Sequence, residues 1–489
     1  MRPAQDASSA VTDGEVIAFL SRGESYGLPG QAVELVETHC SVVFLVGEFA
    51  FKLKRPIAFS ALDYTSVEKR EVACRREVEL NRRAAPDLYL GVRAIRRDGS
   101  GKLGFAGAGP AVDWVVAMRR FEQSDLFDHL AATGRLTAAL SRELAEEIAR
   151  FHGSAARTDV YGGASGLRQV IEHNRRDQLT VLSVLGEASI EELYAQSLVL
   201  LGRLGAFLDR RRAEGRVRLC HGDLRLANLC LYHGRPRLFD AIEFADEISC
   251  IDVLFDLAFL LMDLRHQGLR AQANVVLNVY LDATGDDGGL PALPLMMSIR
   301  AGTRAFAVAN SSRRQADPQQ GRRLAASAHD LMALGRSLLV PETPRLVVIG
   351  GGTETERRAV AARLAPSFRP EPGARVIMAD GRAVTDIVAQ ISEIVAAGYT
   401  AVVAGSFQAV AARRWIADLA ATRRLPLVGI WFGKATDRPP EWPLVEAVSD
   451  LESAKAAVTR LLDAAAARRD QGAPSPPDRE ADETPHSEG

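Results

Sequence analysis

Residues 217–264 read VRLCHGDLRLANLCLYHGRPRLFDAIEFADEISCIDVLFDLAFLLMDL, and the larger part of the chain takes its fold from this stretch. His221-Gly222-Asp223 is followed five residues after the aspartate by Asn228, and Asp240 ends the apolar pair Leu238-Phe239. Short apolar runs at 217–220 and 229–232 predict strands, and the turn His233-Gly234-Arg235-Pro236 leads into a third at 237–239. A loop and a hairpin therefore bring three polar side chains toward one point. The run Asp256-Leu-Ala-Phe-Leu-Leu261 predicts a buried helix, with Asp252 or Asp256 bracing the loop.

Phosphoryl transfer asks little covalent work of a protein and depends on positioning and charge neutralisation. An aspartate must accept a hydrogen bond from the attacking hydroxyl, and oxygen ligands must hold Mg2+ against the nucleotide phosphates. The spacing His-x-Asp-x-x-x-x-Asn puts a base, Asp223, and a metal ligand, Asn228, at opposite ends of one loop, with Asp240 as a second metal ligand from the next hairpin. As two turn formers and a helix cap the same residues would be ordinary, but that reading leaves their joint spacing to accident.

Upstream, the runs 42–46 and 49–53 flank Gly47-Glu48 as a tight hairpin. Phe49, Phe51 and Leu53 alternate with Ala50, Lys52 and Lys54, so both lysines share one face. An apolar-x-apolar-Lys strand is the phosphate-lysine pattern of kinases. Lys52 and Lys54 both satisfy it, and the sequence does not choose between them; two lysines guarding a solvated strand edge is the competing reading. A helix over 67–83 supplies a glutamate to pair with that lysine, Glu77 by preference and Glu68 as competitor. Strands at 88–95 and 112–118 complete an expected five-stranded antiparallel sheet, and Arg119 to Phe121 form the hinge whose backbone meets adenine. No glycine-rich phosphate loop is present, only Gly47. Helical patterns fill 125–215 and 251–339, interrupted by a loop at 282–289 whose Asp286 and Asp287 read as turn formers or as a cation-recognising pair.

With His221-Gly-Asp223, Asn228, Asp240 and Asp256-Leu-Ala in hand, residues 30–335 resemble the aminoglycoside phosphotransferase-like kinase superfamily, which includes choline and fructosamine kinases. The run Leu88-Tyr-Leu-Gly91 with HGDLRLANLCLYHGRPRLFDAIEF is similar to a bacterial group in which such a domain precedes a P-loop kinase-like ATPase domain. The resemblance implies an α+β protein-kinase-like two-lobed domain, ATP and Mg2+ as cofactors, Asp223 as base and Asn228 and Asp240 as metal ligands. Arg225 and Ala227 stand where that group usually has histidine and glycine, which bears on loop shape and substrate contact.

Residues 340–344 form a linker with two prolines, and 345–350 then read as a buried strand running into glycines, followed by a helix at 356–364. Later strands at 375–378, 401–404 and 427–431 alternate with helices, as in a smaller α/β domain with a parallel sheet of P-loop type. The motif G-x-x-x-x-G-K-[ST] fails, because from Gly351 its last three positions are Glu356, Arg357 and Arg358. Glu356 obstructs the backbone approach that glycine permits, and Arg358 offers Mg2+ no oxygen. Glu354 and Glu356 add charge repulsion of about 1 to 4 kcal/mol per pair at 4 Å from a phosphate charge. The expectation is a degenerate P-loop domain over 345–465 that no longer hydrolyses ATP, then a disordered tail over 466–489, rich in Pro, Asp and Glu. Residues 1–29 read as an N-terminal extension.

The 489 residues carry 60 basic and 62 acidic side chains, a net charge of −2 that gives no electrostatic ground for nucleic acid or an anionic membrane as partner. Five cysteines without CxxC spacing support neither a disulfide framework nor a zinc site. The N-terminus lacks an apolar h-region and no apolar run approaches the ~20 residues that span a bilayer, so a cytoplasmic location is expected. The sequence thus points to an ATP- and Mg2+-dependent phosphotransferase acting on a small-molecule hydroxyl. The alternative is a non-catalytic nucleotide-binding or scaffold protein.

Overall fold

The alternation read in Phe49-Ala-Phe-Lys-Leu-Lys54 decides the layering of the N-terminal part. In the computed structural model, which describes residues 13–38, 40–59 and 62–472, these residues form strand β3 (Phe49–Lys54). The chain divides into two units, Met1–Glu342 with Pro370–Gly373, and Thr343–Arg369 with Ala374–Gly489.

In the first unit, helix α1 (Asp13–Leu20) precedes β1 (Glu34–Glu37), β2 (Ser41–Val46) and β3. A two-stranded ribbon, β4 (Ala58–Phe59) and β5 (Leu62–Asp63), leads to helix α2 (Val67–Asn81), and β6 (Tyr89–Arg97), β7 (Leu103–Gly104) and β8 (Ala111–Arg119) follow. The sheet has the order β1-β2-β3-β8-β6-β7, antiparallel throughout. Six strands stand where five were expected: β1 is mostly exposed and β7 has two residues, so neither edge strand carries a readable alternation.

Period-2 geometry gives the sheet two buried faces. Phe51, Leu53, Val115 and Ala117 pack with Val16 and Leu20 of α1, while Trp114 and Val116 pack with Cys74 and Val78 of α2. Lys52 and Lys54 alternate with Phe51 and Leu53 and so point to the α2 face. Residues 13–20, expected to belong to an extension, are thus part of this sheet's core.

The rest of the unit is helical: α3 (Phe127–Ala132), α4 (Ala138–Ser154), α5 (Gly163–Leu179), α6 (Leu182–Leu185) and α7 (Glu187–Ala213) come before the key stretch. That stretch holds β9 (Val217–Leu219), the hairpin β10 (Leu229–Tyr232) and β11 (Arg235–Leu238), α8 (Asp246–Ser249) and β12 (Cys250–Asp252), the last pairing with β9. Next come α9 (Val253–His266), α10 (Arg270–Thr284), α11 (Leu293–Arg314) and α12 (Pro318–Leu338). Every residue of α9 from Val253 to Leu264 is buried, as its apolar run demands. The expected loop at 282–289 begins later, because α10 runs to Thr284 and is ended by Gly285 at φ 63°. Asp286 is buried there, and Arg211 donates to it at 2.8 and 2.9 Å and to Asp252 at 2.7 and 2.9 Å. Asp286 is therefore one side of a buried ion pair.

The second unit orders β13 (Leu346–Gly351), α13 (Glu354–Leu364), β14 (Arg375–Met378), α14 (Val384–Ala396), β15 (Ala401–Ala404), α15 (Val410–Thr422), β16 (Leu427–Phe432), β17 (Val445–Val448) and α16 (Leu451–Gly472). Its sheet, β14-β15-β13-β16-β17, is parallel throughout, with β13 at the centre. Helix α16 extends to Gly472, into the stretch expected to lack structure; residues 473–489 lie outside the described residues. Among the described residues no helix is long and apolar enough to cross a membrane.

Candidate active site

The loop between β9 and β10 is fixed from below. Gly222 has φ 86°, and a Cβ there would stand 3.0 Å from Ile242 Cγ1 and 3.3 Å from the Ile248 carbonyl oxygen, so glycine suits the position on both counts. The amides of His221 and Gly222 donate to the two oxygens of Asp256 at 3.0 and 2.9 Å. His152 donates to the same carboxylate through Nε2 at 3.1 Å, with its Nδ1 3.0 Å from the Tyr280 hydroxyl. Burial pushes the Asp256 carboxyl up, but the His152 hydrogen bond and nearby positive charge bring it down to about 2. Of the two candidate braces, Asp256 holds the loop and Asp252 turns to Arg211. His152, Cys220 and Asp256 lie close enough to suggest a metal site. Their polar atoms are instead engaged in these bonds and in one from Cys220 Sγ to the Ile251 carbonyl oxygen, 3.4 Å.

On this base stand the loop's own groups. His221 Nε2 lies 2.9 Å from the Phe239 carbonyl oxygen, and Ile242 N donates to the His221 carbonyl oxygen at 2.9 Å, tying the loop to the segment that carries Asp240. Asn228 Nδ2 donates to Asp223 Oδ2 at 2.8 Å and to the Asp223 carbonyl oxygen at 2.9 Å, which leaves the Asn228 amide oxygen outside these bonds. Arg225 Nε donates to Asp223 Oδ1 at 2.9 Å. Leu226 N donates to Asp263 of α9 at 3.0 Å.

Asp240 has φ 63°, a left-handed conformation that a short polar side chain tolerates better than most. Its amide donates to the Tyr89 hydroxyl at 3.1 Å, and the Ala241 amide to Asn81 Oδ1 at 2.9 Å. Lys52 Nζ bonds both Asp240 and Glu77 Oε1, the latter at 2.9 Å. Lys54 Nζ bonds Glu77 Oε2 at 2.6 Å and also Glu243, which accepts from the Tyr64 hydroxyl as well. Both lysines thus meet one buried glutamate, whereas Glu68 is exposed in the first turn of α2. Burial alone would push both ammonium groups down, but the carboxylates outweigh it and hold Lys52 and Lys54 well above their ordinary value. Burial would likewise raise Asp240 and Glu243; Lys52 and Lys54 respectively lead the charges that hold them low.

These groups line one cavity of about 610 Å³, together with Arg119 and Phe121. Phe121 packs on Phe239 with ring centroids 5.1 Å apart. The amides of Arg119 and Arg120 donate to the carbonyls of Leu88 and Glu48, both at 2.8 Å, and the Arg119 side chain reaches Glu48 at 3.3 Å. The residues given catalytic, cofactor or metal roles in the sequence, Lys52, Lys54, Glu77, Arg119, Phe121, Asp223, Asn228 and Asp240, all border this cavity, whereas the competitor Glu68 does not. Sequence reasoning missed Glu243, Tyr64, Tyr89 and the ion pair of Arg225. Glu243, three residues after Asp240, was open to notice as a charge in an otherwise apolar run; Tyr89 stood within the Leu88–Gly91 run without a role being read for it, and Tyr64 gave no signal.

The phosphotransferase enzyme family profile matches residues 67–293. An uncharacterized protein of Mycobacterium tuberculosis is 30% identical over 355 residues, which cover 71% of this chain and 67% of that one. Among solved structures, a choline/ethanolamine kinase family protein from Mesorhizobium loti is 14% identical with a TM-score of 0.40, covering 66% of this chain and 98% of its own. An ADP-bound aminoglycoside phosphotransferase is 14% identical with a TM-score of 0.37, covering 67% of this chain and 100% of its own. The chain belongs to one family with the mycobacterial protein and carries a phosphotransferase-family domain.

Proposed function

We propose that this phosphotransferase-family chain transfers the γ-phosphoryl group of ATP, with Mg2+, to a hydroxyl of a small molecule, and that the chemistry is confined to the first unit. The observation that carries this reading is the meeting of Asp223, Asn228, Asp240 and the Lys52–Glu77 pair on one cavity. The donor set fits the cofactors: an amide oxygen and a carboxylate are hard ligands of the kind Mg2+ takes. A cavity of about 610 Å³ with apolar walls, Phe121 and Phe239 among them, suits an adenine nucleotide.

Bound Mg2+·ATP supplies the transferable group and neutralises its charge. Asp223 accepts the acceptor hydroxyl's hydrogen bond and takes its proton, oriented by Asn228 Nδ2 and Arg225 Nε. Asn228 and Asp240 hold the metal. Lys52 binds the phosphates, kept in place by Glu77, and Lys54 and Glu243 keep Glu77 from turning away. The backbone of Arg119 to Phe121 meets the adenine; because the Arg119 and Arg120 amides already serve the sheet, the Phe121 amide is the donor of choice.

We read the second unit as a P-loop-type domain that has lost ATP hydrolysis. The turn after β13 lies where open α/β sheets bind ligands, beyond the carboxyl end of a central strand. Most of its polar groups are engaged internally, the buried Arg357 Nε being without a partner among the described residues. The Gly351 and Gly352 amides donate to the Ser406 and Phe432 carbonyls at 3.4 and 3.2 Å. Buried Arg357 donates to the Gly351 and Gly352 carbonyls at 2.6 and 2.7 Å and to Asp380 at 2.6 Å. Glu356 closes a capping box with Thr353, whose amide and hydroxyl each donate to it at 2.7 Å.

The test is ATP consumption by the full chain in Mg2+ against a library of hydroxyl metabolites, with phosphate recovered on the acceptor. Nucleotide binding without transfer to any member supports the non-catalytic alternative.

A further inference from the structure

Asp240, the carboxylate assigned to Mg2+ above, sits on a backbone that does not hold itself. With φ 63° it is one of four non-glycine residues at positive φ among the described residues. Such a conformation persists only where the surroundings over-determine it. Here four consecutive amides, Phe239 to Ile242, each have an acceptor. Phe239 N and Ile242 N donate to the Asn228 and His221 carbonyl oxygens at 3.1 and 2.9 Å, so both ends of the segment rest on the loop that carries Asp223. The two amides between them turn elsewhere: Asp240 N donates to the Tyr89 hydroxyl at 3.1 Å and Ala241 N to Asn81 Oδ1 at 2.9 Å.

Both of these acceptors are buried side chains of the sheet-bearing part of the unit. Asn81 is the last residue of α2 and Tyr89 the first of β6. Asn81 Nδ2 donates to the Glu77 carbonyl oxygen at 2.8 Å, one turn back on α2, which turns its amide oxygen toward Ala241. The helix that presents Glu77 to Lys52 therefore also grips the residue after Asp240. Tyr89 borders the cavity together with Lys52, Glu77 and Asp240. An amide deprived of its acceptor here is costly, and the turn at Asp240 would shift to recover one.

We propose that Tyr89 and Asn81 are positioning residues for the metal: they hold the backbone at 240–241 so that the Asp240 carboxylate is set for Mg2+ before Mg2+ arrives. Asn81 further ties that setting to the Lys52–Glu77 pair, because one turn of α2 carries both contacts. Each acts through the backbone of the Asp240 segment, the part that outer partners of a metal ligand commonly play. This rests on the phosphotransferase reading above and deepens it, by naming what keeps its metal ligand in place.

The experiment is calorimetric titration of the full chain with a non-hydrolysable ATP analogue, once in saturating Mg2+ and once in a metal chelator. The ratio of the two affinities reads the metal's contribution, and the wild type should bind more tightly in Mg2+. Tyr89→Phe keeps the ring and removes only the acceptor. It should cut the gain from Mg2+ about fivefold or more, while affinity in chelator changes less than about twofold. Asn81→Ala should do the same; because it empties a buried position, Tyr89→Phe decides where that variant does not fold. A packing role alone would weaken both affinities alike. That result, or an unchanged gain in Tyr89→Phe, would overturn the inference. If the wild type does not bind the analogue, or binds it equally with and without Mg2+, the phosphotransferase reading has failed and this one with it. If the wild type shows the gain and Tyr89→Phe keeps it, only this inference fails.

Discussion

Lys54 holds Glu77 by Oε2 at 2.6 Å and leaves Oε1 for Lys52, so a single carboxylate is gripped by two strand neighbours of the same face. The sequence offered the two lysines as alternatives for one role, whereas the geometry gives them different surroundings. Lys52 also meets Asp240 at the cavity, while Lys54 is 1% exposed and shares Glu243 with Tyr64.

Exchanging each lysine for methionine should therefore separate catalysis from stability. Lys54→Met leaves Glu77 and Glu243 buried with one positive partner fewer, and chemical denaturation should show a loss of about 3–5 kcal/mol. Lys52→Met leaves Glu77 paired with Lys54, so it should cost less stability while lowering ATP turnover by about 10²-fold or more. Equal stability loss in the two variants would contradict the division.

If Asp240 holds the metal as proposed, Asp240→Asn weakens that ligand as well as one of the two ion pairs of Lys52. The Mg2+ concentration for half-maximal turnover should rise by about tenfold or more, while the Asp256→Asn variant, altered behind the loop, should not shift it comparably.

Acid stability tests the Asp256 brace. A carboxyl lowered to about 2 in the folded chain contributes stability that is fully present above its ordinary unfolded value of about 4. That contribution, on the order of 2 kcal/mol, is lost as pH falls from about 4 toward 2. Unfolding free energy of the wild type should decline through this window more steeply than that of Asp256→Asn, which starts lower. Parallel declines would remove Asp256 from the account.

Local chemistry explains what was legible beforehand. That Asp223, Asn228 and Asp240 converge was legible because one short loop and one hairpin fix their relation, whereas Glu77 was preferred to Glu68 on the lysine–glutamate pattern of kinases and only the fold shows which of the two meets the lysines. The strands of the second unit showed as apolar runs between turns. Glu243, Tyr64 and Tyr89 escaped because their partners lie far away in sequence: Tyr64 and Glu243 meet across a gap that only the closed fold removes. Arg357, at the lysine position of the failed motif, satisfies two carbonyls of its own loop, a backbone detail that no pattern of residue types reveals. The capping box at Thr353 and Glu356 was legible from its T-x-x-E spacing and was missed because Glu356 was read as a failed glycine.

Arg357→Ala should destabilise the second unit by about 1–3 kcal/mol by stranding the Gly351 and Gly352 carbonyls and Asp380. Three of the four tryptophans, Trp415, Trp431 and Trp442, belong to that unit and Trp114 to the first, so denaturant unfolding followed by tryptophan fluorescence in a Trp114→Phe background reports on it. ATP consumption by the full chain should stay unchanged. A fall in turnover would mean that the second unit takes part in the chemistry.

The most direct test of the central claim is the turnover number of the full Asp223→Ala chain, measured as ADP release at saturating Mg2+ and ATP with an accepted hydroxyl substrate. The account predicts a fall of about 10²–10⁴-fold with nucleotide affinity retained. Turnover equal to that of the wild type would contradict it.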